Sequence, residues 1–159
     1  MSRAFVKEDG PEPDENPPER PLSALPNYVT RRGLRLLEEL EARLGLELSA
    51  YAGAQADPER RKRKRLLERD LRYVRARLET AIPVDAAPQD EIRFGARVEL
   101  RGSGGGTRAL RIVGEDEAEE GGEFAPWSGP FVQALFGLKT GATLAWNGES
   151  WTVLSVGYP

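Results

Sequence analysis

The sequence predicts an α+β fold: an antiparallel α-helical coiled-coil hairpin followed by a small β-rich domain. Three observations carry this. Two stretches place leucines at alternating spacings of four and three. A short turn with helix-restart residues separates them. After Glu91 the apolar period drops to about two, broken by Gly-rich turns.

Residues 1–28 read as a disordered, solvated tail, because Pro11, Pro13, Pro17, Pro18, Pro21 and Pro26 alternate with acidic groups and almost nothing apolar. A docking peptide is the other use of such a segment. The hairpin follows over 29–82. Thr30 offers an N-cap hydroxyl, and Leu37, Leu40, Leu44 and Leu48 form one stripe on a helix expected to end near Tyr51. Asp57-Pro58-Glu59 restarts the chain: Asp caps, Pro fits the first helical position, and Glu complements the positive helix end. The second helix runs to about Ala81, where Pro83 stops it. Its Leu67, Leu71, Val74 and Leu78 can face Leu48, Leu44, Leu40 and Leu37 in antiparallel register. Arms of this length reach on the order of 35 Å. Polar groups replace leucines towards the turn, so the distal end is expected to be loosely packed.

Residues 90–159 form the second unit. Ile92–Leu100, Arg108–Val113, Thr143–Trp146 and Trp151–Val156 read as strands, with Gly102–Gly106 and Asn147-Gly148 as turns and Phe131–Phe136 as a short helix. Phe94, Phe124, Trp127, Phe131, Phe136, Trp146 and Trp151 are its expected core.

Composition narrows the chemistry. The chain of 159 residues has no cysteine and no histidine, which excludes disulfides, thiolate nucleophiles, a Ser-His-Asp triad and zinc sites of the usual nitrogen and sulfur type. Any bound metal would be a hard cation such as Mg²⁺. No apolar run is long enough to span a bilayer and no hydrophobic leader is present, so a cytoplasmic, monomeric protein is expected. The net charge of −3 conceals an asymmetry: residues 29–82 hold 14 basic and 9 acidic groups, whereas 83–159 hold 6 and 11. A basic arm on an acidic body points to an acidic or nucleic-acid partner.

Several stretches resemble the Gre family of bacterial transcription factors. Val29-Thr30-x-x-Gly33-x-x-x-Leu37 resembles the start of its first helix, and Arg72-Tyr73-Val74-x-x-Arg77-Leu78 with Val84-Asp85 the end of its second. Phe94-Gly95-Ala96-x-Val98, Arg111 to Ala118 and Pro130-x-x-x-Ala134-Leu135-x-Gly137 resemble its C-terminal domain. The resemblance implies an FKBP-like C-terminal domain that docks on RNA polymerase and a coiled coil that enters the secondary channel. In cleavage-stimulating members, it further implies, tip carboxylates help hold a Mg²⁺ ion in the polymerase's own active site. The resemblance makes Glu115, Asp116 and Pro130 the docking candidates. Gly129, Gln133, Leu138 and Ala142 depart from the family's Ser, Arg, Lys and Asp.

Two readings stand at the tip. Asp57 and Glu59, the only acids near the turn, are either a helix cap with its first-turn acid or the metal-holding pair. The run Arg60, Arg61, Lys62, Arg63, Lys64, Arg65 is either a solvated face or a contact for RNA or DNA phosphates or for acidic channel walls. The whole chain accordingly reads as a Gre-like elongation regulator without an active site of its own, with shared Mg²⁺ as the only cofactor in question. The alternatives are a non-cleaving channel modulator resembling regulators of nucleoside diphosphate kinase, an autonomous basic-hairpin nucleic-acid binder, and a Mg²⁺ hydrolase built on Glu115, Asp116 and Glu117.

Overall fold

The computed structural model describes residues 16–53 and 56–159. Strand β1 (Tyr28–Val29) leads into helix α1 (Arg31–Ser49), and helix α2 (Pro58–Glu79) returns to strand β2 (Ile82–Pro83). The hairpin is thus closed at its base by a parallel β1–β2 pair, with Tyr28 opposite Ile82 and Val29 opposite Pro83. Asn27 O accepts from Ile82 N–H at 2.8 Å and Val29 O from Val84 N–H at 2.9 Å. This clasp gives no periodic signal: it is two residues per strand and one of them is proline.

The leucine seam packs as the heptads require. Leu37, Leu44, Leu67, Leu71 and Val74 are buried together with Val29, and Leu34, Leu40, Leu48 and Leu78 flank them. Each of those buried side chains contributes roughly 1.5–3 kcal/mol relative to exposure. Both helices stop about two residues before the sequence suggests, at Ser49 and Glu79. At the first end, Ser49 Oγ donates to Leu46 O and begins to unwind the turn.

The leader departs from the disordered tail expected over 1–28, of which residues 1–15 lie outside the described residues. Residues 16–27 lie along α2. Glu19 pairs with Arg72, the Arg20 guanidinium lies 3.8 Å from the centre of the Tyr73 ring, and the buried Asn27 donates to Arg77 O at 2.7 Å. The contacts are polar and cation–π in kind, so a count of apolar residues does not reveal them.

Strands β3 (Arg97–Gly102), β4 (Thr107–Val113), β5 (Phe124–Pro126), β6 (Thr143–Trp146) and β7 (Glu149–Gly157), with helix α3 (Pro130–Leu135), make the second unit. The five strands run in the order β5-β4-β3-β7-β6. Only the β4–β5 pair is parallel, and a bulge between Glu99 and Leu100 bends β3. Asn147 (φ 49°) and Gly148 (φ 79°) close the β6–β7 hairpin in the left-handed conformation that such two-residue turns need. The first strand starts at Arg97, not Ile92, because Gly95 at φ 85° turns the chain between them.

The core differs from the aromatic one expected. Ile92, Val98, Leu100, Leu110, Ile112, Leu135 and Val153 fill it, and Phe94, Trp127, Phe131, Phe136 and Trp151 pack around its edge, half-buried. Phe131 instead meets Trp146 and Trp151, with ring centres 5.6 and 5.9 Å away. Short strands leave little room between sheet and α3, and branched aliphatic side chains fill it better than rings.

Candidate functional site

Two places on the molecule bear on function: the tip of the hairpin, and the latch that sets the hairpin's angle on the β-rich domain. The latch is built from the three-residue helical turn Glu115–Glu117 after β4. Arg77 on α2, its side chain 3% exposed, donates from Nε to Asp116 at 2.5 Å and lies 3.5 Å from Glu115. Tyr73, one turn earlier, donates its hydroxyl to Asp116 at 2.6 Å. Burial, together with that hydrogen bond to a carboxylate, pushes the Tyr73 phenol up to about 12. On the other side, the buried Glu117 accepts from Thr30 Oγ1 at 2.5 Å and from Arg32 at 2.9 Å. Arg32 also lies over the Phe124 ring at 4.3 Å. Thr30 accepts from Gly33 N–H at 2.9 Å, so one hydroxyl both caps α1 and grips the second unit.

Sequence reasoning placed Glu115 and Asp116 on a docking surface. Both carboxylates are engaged inside the molecule, Glu115 also accepting from Ser128 Oγ at 2.9 Å. Pro130, exposed, opens α3 at its first turn. Arg77, Tyr73 and Asn27 were missed as site residues, and Glu117 was considered only as a metal ligand, not as the partner of Thr30 and Arg32. A signal existed for Arg77: it follows the seam residue Val74 by three positions, where a charge must find a buried partner.

At the tip, Asp57 accepts from Glu59 N–H at 3.0 Å and caps α2. Glu59 lies in the first turn, where it faces the helix dipole. Among the described residues no group of three or more acids could hold a metal ion, and Ala54 and Gln55, which are not described, bring no carboxylate. One cap-bound carboxylate and its neighbour two residues on do not by themselves form a Mg²⁺ ligand set.

The basic run does not form one stripe, since successive helical residues rotate by about 100°. Arg63 turns back across the hairpin to Glu47 at 2.5 Å, which raises the guanidinium's pKa through that hydrogen bond. Arg60 donates to Ala50 O at 3.1 Å and lies over Tyr51 at 5.2 Å, while Lys64 pairs with Glu68 at 3.6 Å. These contacts tie the distal end together where the leucines run out.

The family described as transcription elongation factor GreA/GreB, C-terminal, matches residues 87–158. The chain is also similar to transcription elongation factor GreB of Haemophilus influenzae, 32% identical over 127 residues that cover 70% of this chain and 80% of that protein. The chain belongs to the GreA/GreB family. GreB of Pseudomonas syringae pv. tomato is 34% identical over 100 residues, 59% of this chain and 64% of that relative. The chain therefore spans a little under two thirds of that relative's length. A solved structure described as prokaryotic transcription elongation factor GreA/GreB from Nitrosomonas europaea is 21% identical, with 82% of this chain and 98% of that chain covered and a TM-score of 0.41. Within this Gre-family chain, the matched segment begins after β2 and contains all five strands, α3 and the acidic half of the latch.

Proposed function

We propose that this Gre-family chain binds bacterial RNA polymerase and regulates transcription elongation by placing its hairpin tip in the secondary channel. The observation that carries this is the latch. Arg77 and Glu117, both buried and both paired across the two units, hold a two-helix probe at a fixed angle to the β-rich domain. Helices of 19 and 22 residues extend the probe about 30 Å. A fixed lever lets a domain dock at one place and act at another. The cations of residues 60–65 then meet phosphates or acidic channel walls, which calls for counter-charge and not for base readout. The protein acts as a monomer in the cytoplasm, and the chemistry belongs to the polymerase. When present, a shared Mg²⁺ would supply charge neutralisation and water activation there.

A second reading, occupation of the channel without RNA cleavage, is favoured by one observation: the Asp57 carboxylate is engaged as a helix cap. Adding the purified chain to backtracked elongation complexes separates the two. Shortened RNA supports cleavage stimulation, and altered pausing without shortening supports occupation. Failure of the intact chain to bind core polymerase, with a chain lacking residues 30–82 as comparison, would overturn both.

A further inference from the structure

The leader has no role in the reading above, yet it is seated on α2 with a definite direction. At the base of the hairpin the buried Asn27 donates to Arg77 O and Thr80 Oγ1. Further back, Arg20 lies over the Tyr73 ring and 3.9 Å from Asp70, and Glu19 reaches Arg72 at 2.5 Å. Followed towards the N-terminus, the leader therefore climbs α2 from its base towards the tip.

What comes next on each side is of opposite charge. Residues 8–15 hold Glu8, Asp9, Glu12, Asp14 and Glu15 and no basic group. On α2, a rotation of about 100° per residue puts Arg65 and Arg61 each within about 20° of the direction of Arg72, with Arg69 beside that line. Of the basic run, these two alone continue the track on which Glu19 already sits. The lengths agree as well. A helical rise of 1.5 Å per residue places Arg65 about 10 Å and Arg61 about 16 Å beyond Arg72. A proline-rich chain extends about 3.1 Å per residue, so Glu15 can reach about 12 Å past Glu19, and Glu12 about 22 Å.

We propose that residues 8–15 continue this path and cover the strip of Arg61 and Arg65, so that the chain carries its own competitor for nucleic-acid phosphates at the hairpin tip. Carboxylates suit guanidinium groups for the same reason that phosphates do. Each exposed ion pair is weak, but the tether at Asn27 and Glu19 keeps the acids beside the strip at about millimolar effective concentration. A contact built this way exchanges readily and yields to a polyanion. The docking does not depend on polymerase binding. The competition deepens the phosphate reading of residues 60–65 and rests on it.

The chain has no cysteine, so a nitroxide on Gly10→Cys of the full chain is its only label. At low salt it should broaden the amide resonances of residues 58–66 and spare those of β6 and β7. The broadening should disappear when the leader is neutralised by Glu8→Gln, Asp9→Asn, Glu12→Gln, Asp14→Asn and Glu15→Gln together, and fade in about 1 M salt, where the screening length falls to about 3 Å. Unlabelled, the neutralised chain should bind a single-stranded oligothymidylate about tenfold more tightly than the parent at low salt. That gain should vanish in an Arg61→Gln, Arg65→Gln background, which separates release of the strip from a mere change in net charge. Broadening that is absent from residues 58–66, or that survives neutralisation, would overturn the docking. An affinity that neutralisation leaves unchanged, or a gain that persists without Arg61 and Arg65, would overturn the competition. Neither arm contains polymerase, so failure here is distinct from failure of the channel reading.

Discussion

The guanidinium of Arg77 and the carboxylate of Asp116, 39 residues apart in sequence, form the central ion pair between hairpin and β-rich domain. Glu115 and Tyr73 complete the group. Arg77→Met keeps the stem's packing and removes the charge, leaving two carboxylates facing each other without a cation. Their side chains are 24% and 16% exposed, so water recovers part of the loss, and the expected cost is about 2–3 kcal/mol, below that of a fully buried pair. Urea unfolding measures it. A destabilisation under about 0.5 kcal/mol, the range of ordinary surface substitutions, would mean that the pair does not hold the two units together.

The Tyr73 phenol, pushed from 10.0 up to about 12 by burial first and then by Asp116, gives the latch an alkaline limit. The folded value lies above the unfolded one. Tyr73 therefore contributes its full stability below about pH 10 and loses it as pH rises through about 12. Tyr73→Phe keeps a ring beneath Arg20 but removes this phenol. Burial also raises the Tyr158 phenol, so an ultraviolet titration of phenolate should show two late-ionising tyrosines in the parent and only Tyr158 in the variant. A late phase undiminished by the substitution would mean that Tyr73 does not ionise late.

Periodicity made the hairpin legible, because a two-helix seam writes its geometry into leucine spacing, and the Asp57-Pro58-Glu59 restart is chemically unambiguous. The latch was legible only in pieces. Thr30 was readable as a cap, but its grip on Glu117, 87 residues later, depends on tertiary placement that no local pattern encodes. The aromatic core was misread for a related reason. Ring size signals burial on average, whereas here Phe124 and Phe131 serve as platforms for Arg32 and Arg108 at the domain edge. The clasp of β1 on β2 and the docked residues 16–27 rest on contacts too few, or too polar, to leave a hydropathy trace.

Asp57 separates capping from metal chemistry by a pair of substitutions. Asp57→Ala removes the acceptor for Glu59 N–H and should cost about 1 kcal/mol, felt as faster amide exchange in the first turn of α2. Asp57→Asn caps equally well but has no charge to offer a cation. It is expected to leave stability, first-turn exchange and the effect on backtracked complexes as in the parent. If Asp57→Asn is stable yet loses RNA shortening that the parent shows, the carboxylate acts beyond its helix.

Two glycines in α1 should respond to alanine with opposite signs. In a helix interior Gly→Ala stabilises by up to about 1 kcal/mol, through lower entropy in the unfolded chain. At Gly45 nothing lies within 4 Å of the added Cβ, so Gly45→Ala should gain most of that amount. At Gly33 the Cβ would sit 2.6 Å from Glu117 Oε2. That oxygen cannot retreat freely, because Thr30 and Arg32 hold its carboxylate in a buried site. Overpacking of this kind costs about 1–3 kcal/mol, enough to outweigh the helix propensity gain. Gly33→Ala should therefore lower the unfolding midpoint while Gly45→Ala raises it. Shortening the intruding side chain tests the cause: Gly33→Ala should be less damaging in a Glu117→Ala background than alone, a coupling that a double-mutant cycle reads directly. Equal effects in both backgrounds would show that Glu117 does not press against α1, and the hairpin's angle would then rest on the contacts of Arg77 and Tyr73 with the acidic turn.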